Sequence, residues 1–122
     1  MALGVTIWPT ELRLRDNGAK LAVSFDNGDS VELAAEYLRV ESPSAEVQGH
    51  SPAERKWIGG KRAVTITKME PVGRYAVQLT FSDGHDTGIF PWEVLHHLGR
   101  FHDEIWRIYL GKIAERGLKR EA

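Results

Sequence analysis

The stretch "YAVQLTFSDGHDTGIFPW", residues 75–92, carries the pattern from which the fold is read. Its first seven residues alternate Tyr75, Val77, Leu79 and Phe81 against Ala76, Gln78 and Thr80, the period of a strand with one buried face. Asp83-Gly84 supplies residue types that tolerate a tight reversal, and "TGIF" (87–90) resumes extended chain. Pro91 suits the first position of a helix, where a missing N–H costs nothing. The order is therefore strand, turn, strand, helix.

Outward from this stretch, the same order occurs upstream. "LAVSF" (21–25) alternates Leu21, Val23 and Phe25 against Ala22 and Ser24, then meets Asn27-Gly28, the signal of a tight primed turn with two residues at positive φ. "SVEL" follows, and a short helical segment is expected over 34–39. Phe25, Gly28 and Asp29 precede Phe81, Gly84 and His85 by 56 residues, and Leu33, Glu36 and Leu38 precede Phe90, Glu93 and Leu95 by 57. One inserted residue makes this a hairpin-plus-helix unit used twice. "ELRLR" (11–15) and "AVTITKMEPVG" (63–73) add strands, the second with Val64, Ile66 and Lys68 on one face and Pro71 at an edge or end. Beyond Gly99, a candidate helix stop, Phe101, Ile105, Tyr109 and Ile113 recur at steps of four, with Trp106 and Leu110 alongside, so an amphipathic helix is expected over 100–118. The expected fold class is α+β: a mainly antiparallel sheet built on two hairpins, with C-terminal helices packed on it, in one domain spanning 1–122.

Composition narrows the function classes. The 122 residues are 42% hydrophobic and 27% charged, with no apolar run long enough to span a bilayer, so no membrane role is expected. "MALGVTIWPTELRL" lacks a basic leader and an apolar core, which gives no signal peptide and a cytoplasmic location as the expectation. Cysteine is absent, which excludes disulfides, thiolate metal sites and a cysteine nucleophile. The net charge of −1 conceals an asymmetry: residues 1–50 carry 4 Lys/Arg against 8 Asp/Glu, and residues 51–74 carry 6 against 2.

Chemistry-bearing candidates are few. His85 follows a turn, where a polar residue bonded to Asp83, Asp86 or a backbone carbonyl is ordinary, yet its imidazole also titrates near neutrality and can serve as a ligand. His50, His96, His97 and His102 lack the i, i+4 spacing of a helical metal site. Ser82, Asp83, His85 and Asp86 hold the residue types of a hydrolase triad, but four residues of one turn cannot enclose a substrate. His85 and Asp86 are adjacent, without the intervening residue that an H-x-D iron motif needs. No complete catalytic constellation is found, and the chain is not expected to be an enzyme. "ERKWIGGKR" (54–62) sets Arg55, Lys56, Lys61 and Arg62 around Trp57, a pattern able to meet phosphates and stack on a base, but the sequence pI near 6.5 argues against a nucleic-acid partner. Trp92, Phe101, Trp106 and Tyr109 are expected to pack in the core instead of forming a cage for an ammonium group.

Two stretches together, "YLRVESPSAEVQGH" (37–50) and "VGRYAVQLTFSDGHDTGIFPWEVLHHLG" (72–99), resemble the N-terminal domain of gamma-butyrobetaine hydroxylase and trimethyllysine hydroxylase. The resemblance covers about residues 7–100. Similar domains occur as free-standing bacterial proteins and fused to Mrp-type iron-sulfur carrier ATPases. In the hydroxylases the resemblance implies a zinc unit with a C-x-C-x-x-C run and a histidine; here those positions hold Ser42, Ser44, Val47 and His85. Serine hydroxyls are poor zinc ligands and Val47 has no donor, so the usual site is not expected and no cofactor is implied, His85 being the one residue retained toward zinc or iron. The oxygenase chemistry belongs to a separate catalytic domain. The expected function is a non-catalytic protein-interaction module whose surface draws on Ser42, Ser44, His50, Arg55, Lys56, Trp57, Asp83, His85 and Asp86. The resemblance implies, as alternatives, an accessory role in iron or iron-sulfur handling with an Mrp-type ATPase as partner; weak nucleic-acid binding by 54–62 is a third reading.

Overall fold

Antiparallel pairing organises the chain into two three-stranded sheets, seen in a computed structural model in which residues 7–122 are described. The first sheet orders β1 (Pro9–Arg15), β2 (Lys20–Phe25) and β3 (Ser30–Ala34); the second orders β4 (Ile66–Val72), β5 (Ala76–Phe81) and β6 (Gly88–Pro91). Each sheet leads into a helix, α1 (Ala35–Val40) after β3 and α3 (Trp92–Arg100) after β6. A short α2 (Ala45–Gln48) lies between the halves, and α4 (His102–Glu115) follows α3. The α+β class with antiparallel hairpins and packed C-terminal helices is thus observed, its strands divided between two sheets. Part of the expectation about a leader sequence concerns residues 1–6, outside the described residues. Among the described residues no helix is long and apolar enough to cross a membrane.

The alternating strands bury one face each in a shared core. Leu21, Val23, Phe25 and Leu33 of the first sheet meet Ile66, Val77, Leu79, Phe81 and Phe90 of the second, with Tyr37 and Leu38 from α1 and Trp92, Leu95 and Leu98 from α3. Non-directional burial of apolar surface is the dominant favourable term here. A second, smaller cluster joins Val40 to Tyr109 and Ile113 of α4, and the buried Tyr109 hydroxyl donates to the Ile58 carbonyl at 2.6 Å. That bond ties α4 to the segment between the two halves. Trp92 and Tyr109 are buried and Trp106 stacks on Tyr109 at 5.0 Å, so packing accounts for three of the four aromatics; Phe101 stays exposed.

The repeat read from residue spacing is a structural one. In the first turn the Phe25 N–H donates to the Asp29 carbonyl at 2.8 Å and the Gly28 N–H to the Phe25 carbonyl at 3.1 Å. In the second, Phe81 donates to His85 at 2.9 Å and Gly84 to Phe81 at 3.0 Å. Gly28 and Gly84 have φ of 93° and 91°, and Asn27 is not left-handed, so each turn is a longer loop closed by one glycine instead of the two-residue primed turn expected at 27–28.

Other expectations are corrected by local geometry. Tyr75 is 59% exposed and precedes β5, while Ala76 is fully buried. A register shift between Ile66 and Lys68 resets the face of β4, so Met69 instead of Lys68 follows Ile66 toward the core. Pro71 does sit on an edge strand, where a missing N–H removes no ladder bond to a neighbour on that side. Pro91 ends β6 and caps α3 in extended conformation, leaving Trp92 as the first helical residue. Gly99 lies inside α3; its role is space, since a Cβ there would stand 2.4 Å from Val31 Cγ1.

Candidate functional site

The segment 41–62 is built, not open chain. α2 occupies Ala45–Gln48, a 3-10 turn Pro52–Glu54 follows, and Gln48 Nε2 donates to the Ser42 carbonyl at 2.9 Å to close the segment on itself. Val47 is 2% exposed and seats the segment on the body of the protein. This brings Ser42 and Ser44 against the turn between β5 and β6. His85 Nε2 lies 3.0 Å from Ser42 Oγ and 3.4 Å from Ser44 Oγ, while His85 Nδ1 lies 3.1 Å from Glu46 Oε1. Glu46 Oε1 also accepts from the Thr87 hydroxyl at 2.6 Å. Gly88 permits the approach, because a Cβ on it would stand 2.7 Å from Ser42 Oγ.

In a neutral imidazole one nitrogen donates and the other accepts: Nε2 is hydrogen-bonded to the Ser42 hydroxyl, while Nδ1 faces the Glu46 carboxylate at 3.1 Å as a charge contact and not a hydrogen bond. Burial, then the Arg39 charge, lower the His85 pKa from 6.5 against the opposing pull of Glu46, Asp83 and Asp86, which favours this neutral form. The Thr87 hydrogen bond is the largest cause that lowers the Glu46 carboxyl, helped by the charges of His85, Arg39 and Lys56.

Asp83 organises the other side of the turn. Its Oδ1 accepts the His85 backbone N–H at 3.1 Å, and its Oδ2 receives Arg39 Nε at 2.8 Å and Lys61 Nζ at 2.7 Å. Burial alone would raise this carboxyl, but the bonds from Lys61, the His85 amide and Arg39 outweigh it and hold the pKa at about 2. Arg39 retains one buried nitrogen, Nη1, without a hydrogen-bond partner. A pocket of ≈ 350 Å³ opens beside these groups, lined by Arg39, Glu46, Val47, Ile58, Gly84, His85 and Asp86.

Ser42, His85 and Glu46 form the order hydroxyl, imidazole, carboxylate that activates nucleophiles elsewhere. Ser42, however, has zero exposure and does not line the pocket. Its hydroxyl is a structural hydrogen-bond partner in this arrangement. The zinc unit implied by the resemblance does not fit either: Ser42 and Ser44 offer neutral hydroxyls, Val47 an apolar side chain, and His85 Nε2 is held by the Ser42 hydroxyl. Among the described residues no group of three or more His, Asp or Glu side chains is placed to hold a metal ion.

The remaining candidates are distributed as follows. Ser42, Ser44 and His85 lie beneath the surface, so they form the floor of the face and not its contact layer. Asp86 and Lys56 are exposed near its rim, and His50 is exposed at the far end of the 42–50 segment, where it belongs to a different cleft. Arg55 is taken up by Glu41 at 3.0 Å and lies 3.8 Å over the Trp57 ring, and Arg62 is paired with Glu121. Arg55 and Arg62 of the basic stretch thus stand in ion pairs within the chain, and Lys61 meets Asp83. His96 pairs with Asp29 at 2.7 Å, and His97 and His102 stand against Phe101 and Tyr37. None of these joins His85. Sequence reasoning missed Arg39, Glu46, Thr87 and Gly88. A signal existed for Arg39: the 57-residue spacing aligns it with His96, and each of the two reaches across to the turn of the other unit, Arg39 to Asp83 and His96 to Asp29.

Comparison with known proteins agrees with this architecture. Two structures determined in solution by NMR are similar at 41% identity over 93% of this chain and 90% of that one, with a TM-score of 0.79, and at 40% identity over 98% and 89%, with a TM-score of 0.84. A crystal structure of a protein of unknown function from Acidithiobacillus ferrooxidans ATCC 23270, assigned to the DUF971 family, is 41% identical over 75% of this chain and 91% of that one, with a TM-score of 0.63. No curated protein matches. Residues 12–96 match the family model described as gamma-butyrobetaine hydroxylase-like, N-terminal. With most of its length inside that match, and with the two hairpin-plus-helix units that fill it, the chain belongs to the gamma-butyrobetaine hydroxylase-like N-terminal family.

Proposed function

We propose that the protein is a non-catalytic interaction module that engages another protein through the face formed by α2, the 55–62 segment and the turn at 83–86. The supporting observation is the pocket beside His85, whose walls come from α1, α2, the following segment and the β5–β6 turn, held together by the ion pairs of Asp83 and the His85 hydrogen bonds. A concave site with pinned polar groups and no accessible nucleophile suits recognition better than bond-making. The reading carries no resident metal. An accessory role in iron or iron-sulfur handling draws nothing from the donor set, since His85 Nε2 is held by the Ser42 hydroxyl and no group of three ligating side chains forms among the described residues.

The test is photo-crosslinking in the protein's native cells from probes at the exposed positions Lys56 and Asp86, against probes at Arg74 and Tyr75 in the turn at the opposite end of the second sheet. One discrete protein adduct shared by positions 56 and 86 and missing from 74 and 75 is expected. No adduct from the face, or the same adducts from all four positions, overturns the reading. In parallel, zinc and ferrous iron added in excess should leave the His85 amide signal in place; stoichiometric displacement of it would favour metal handling.

A further inference from the structure

We infer that Asn27 is a site of spontaneous covalent modification, at which the Gly28 amide nitrogen closes on the Asn27 side chain and the asparagine becomes aspartate or isoaspartate, while the fold spares Asn17 in the same tripeptide. The inference is independent of the interaction face.

The chain holds two asparagines, Asn17 and Asn27, and both stand in Asp-Asn-Gly. Asparagine is among the thermolabile side chains, and a following glycine places no side chain in the way of its own backbone nitrogen. That nitrogen forms a bond to the Asn Cγ, the Cγ–Nδ2 bond breaks, and the amide proton passes through water to the departing nitrogen, which leaves as ammonia. A succinimide ring remains. Water then opens it, giving aspartate when the new N–Cγ bond is cut and isoaspartate when the original peptide bond is cut. Solvent is the co-reactant throughout.

Local sequence gives both triplets the same chemistry, so their surroundings decide which reacts. To reach Cγ, the peptide between Asn and Gly must swing. Gly18 is buried at φ of 88°, and a Cβ on it would stand 2.3 Å from the Ile66 carbonyl oxygen. Asn17 is itself left-handed, at φ of 57°. Movement of that peptide is blocked by the backbone at the start of β4. Around Asn27 every residue from Asp26 to Ser30 is exposed, and a Cβ on Gly28 would meet nothing within 4 Å. Opening this turn gives up the Gly28 N–H bond to the Phe25 carbonyl and leaves the core in place, the kind of local opening that costs least in a folded chain. The Asp29 N–H donates to Asn27 Oδ1 at 3.0 Å, which draws electrons from the carbon under attack.

The modification has a structural consequence. Asn27 Nδ2 donates to Asp29 Oδ2 at 3.0 Å, and the same oxygen meets His96 Nε2 of α3 at 2.7 Å. The His96 ring also stands edge-on to Phe25 at 5.1 Å. Helix α3 is thus tied to the first turn through a carboxylate that Asn27 orients. Aspartate at 27 withdraws the donor and sets a second negative charge beside Asp29, and isoaspartate also lengthens the turn backbone by a methylene.

The test is to age the intact protein at mildly alkaline pH in heavy-oxygen water, beside the same protein unfolded in guanidinium chloride, and to follow each asparagine by peptide mass spectrometry. In the folded protein Asn27 should convert to a mixture of aspartate and isoaspartate carrying solvent oxygen, while Asn17 keeps its amide; unfolded, the two should convert at comparable rates. Equal conversion of both in the fold, faster loss at Asn17, or no conversion of the folded protein while the unfolded one reacts overturns the inference. Aspartate without isoaspartate overturns the attack by the Gly28 nitrogen. Backbone amide spectra of Asn27→Asp and of the aged protein should both shift at Asp29 and His96; unmoved signals there overturn the link to α3.

Discussion

The buried His85 imidazole is hydrogen-bonded to the Ser42 hydroxyl through Nε2 and faces the Glu46 carboxylate with Nδ1. Burial is the main cause that lowers its pKa from the ordinary 6.5, so the unfolded chain binds the proton before the folded one does. Stability contributed by this residue is therefore fully present above about pH 6.5 and is lost as pH falls from there toward the lowered folded-state value. Denaturant unfolding monitored by tryptophan fluorescence at pH 7.5, 6.5 and 5.5 should show a drop over the lower two, and His85→Gln, which cannot titrate, should flatten it. A slope that survives in His85→Gln would assign the pH dependence to other groups. Ser42 and Ser44 were legible through the resemblance, as positions beside His85 whose hydrogen bonds would stand in for a metal, but their depth of burial was not. Their role depends on distances of 3.0 Å and 3.4 Å that arise only when chain segments over 40 residues apart meet.

Elements in this fold meet through glycines that serve two different ends. Gly84, with φ of 91° and no atom within 4 Å of a Cβ, is a conformational requirement. Gly99 is a spatial one, since helix α3 passes so close to β3 that a Cβ would stand 2.4 Å from Val31 Cγ1 and 2.7 Å from Val31 Cβ. Gly99→Ala should therefore destabilise by about 1–3 kcal/mol through overpacking, and Val31→Ala in the same chain should recover part of the loss. Gly84→Ala should cost about 1–2 kcal/mol by backbone strain, with no rescue from any neighbour. Thermal and denaturant unfolding of Gly99→Ala and Gly84→Ala, each with and without Val31→Ala, distinguishes the two mechanisms; equal rescue in both backgrounds would refute the spatial account of Gly99. The position of Gly99 near a helix end made a stop signal the natural reading, because sequence records the missing side chain and not the strand that passes beside it. The turn glycines were read correctly as turn residues, since their Asn or Asp neighbours announce the reversal locally.

On the scale of the whole molecule the two halves are locked by contacts distant in the chain. The C-terminal segment returns after Gly117 to pair with the segment before β4: the Gly60 N–H donates to the Lys119 carbonyl at 2.8 Å and the Arg62 N–H to the Arg120 carbonyl at 3.1 Å. Arg120 then holds the buried Glu36 of α1 through two nitrogens, at 2.9 Å and 2.7 Å. Removing Arg120 leaves a buried carboxylate without its partner. Since Arg120 is about a third exposed, the cost of Arg120→Ala is expected near 2 kcal/mol, below that of a fully buried pair. Glu36→Gln combined with Arg120→Ala should lose less than the sum of the two single changes, as read from a double-mutant cycle of denaturant unfolding. Strict additivity would show that the pair contributes nothing specific.

The sequence by itself determined the α+β class, the two hairpin-plus-helix units, their turns and the amphipathic α4, because each rests on a local period or on residues whose backbone preferences act within a few positions. It also determined that no thiolate could hold a metal here, since composition alone decides that. Only the tertiary structure decided the division of the strands into two sheets, the crossing of Arg39 to Asp83 and His96 to Asp29, and the burial of Ser42 and Ser44 against His85. These depend on which faces meet across dozens of residues, and a buried hydrogen bond leaves no periodic trace in the chain that forms it.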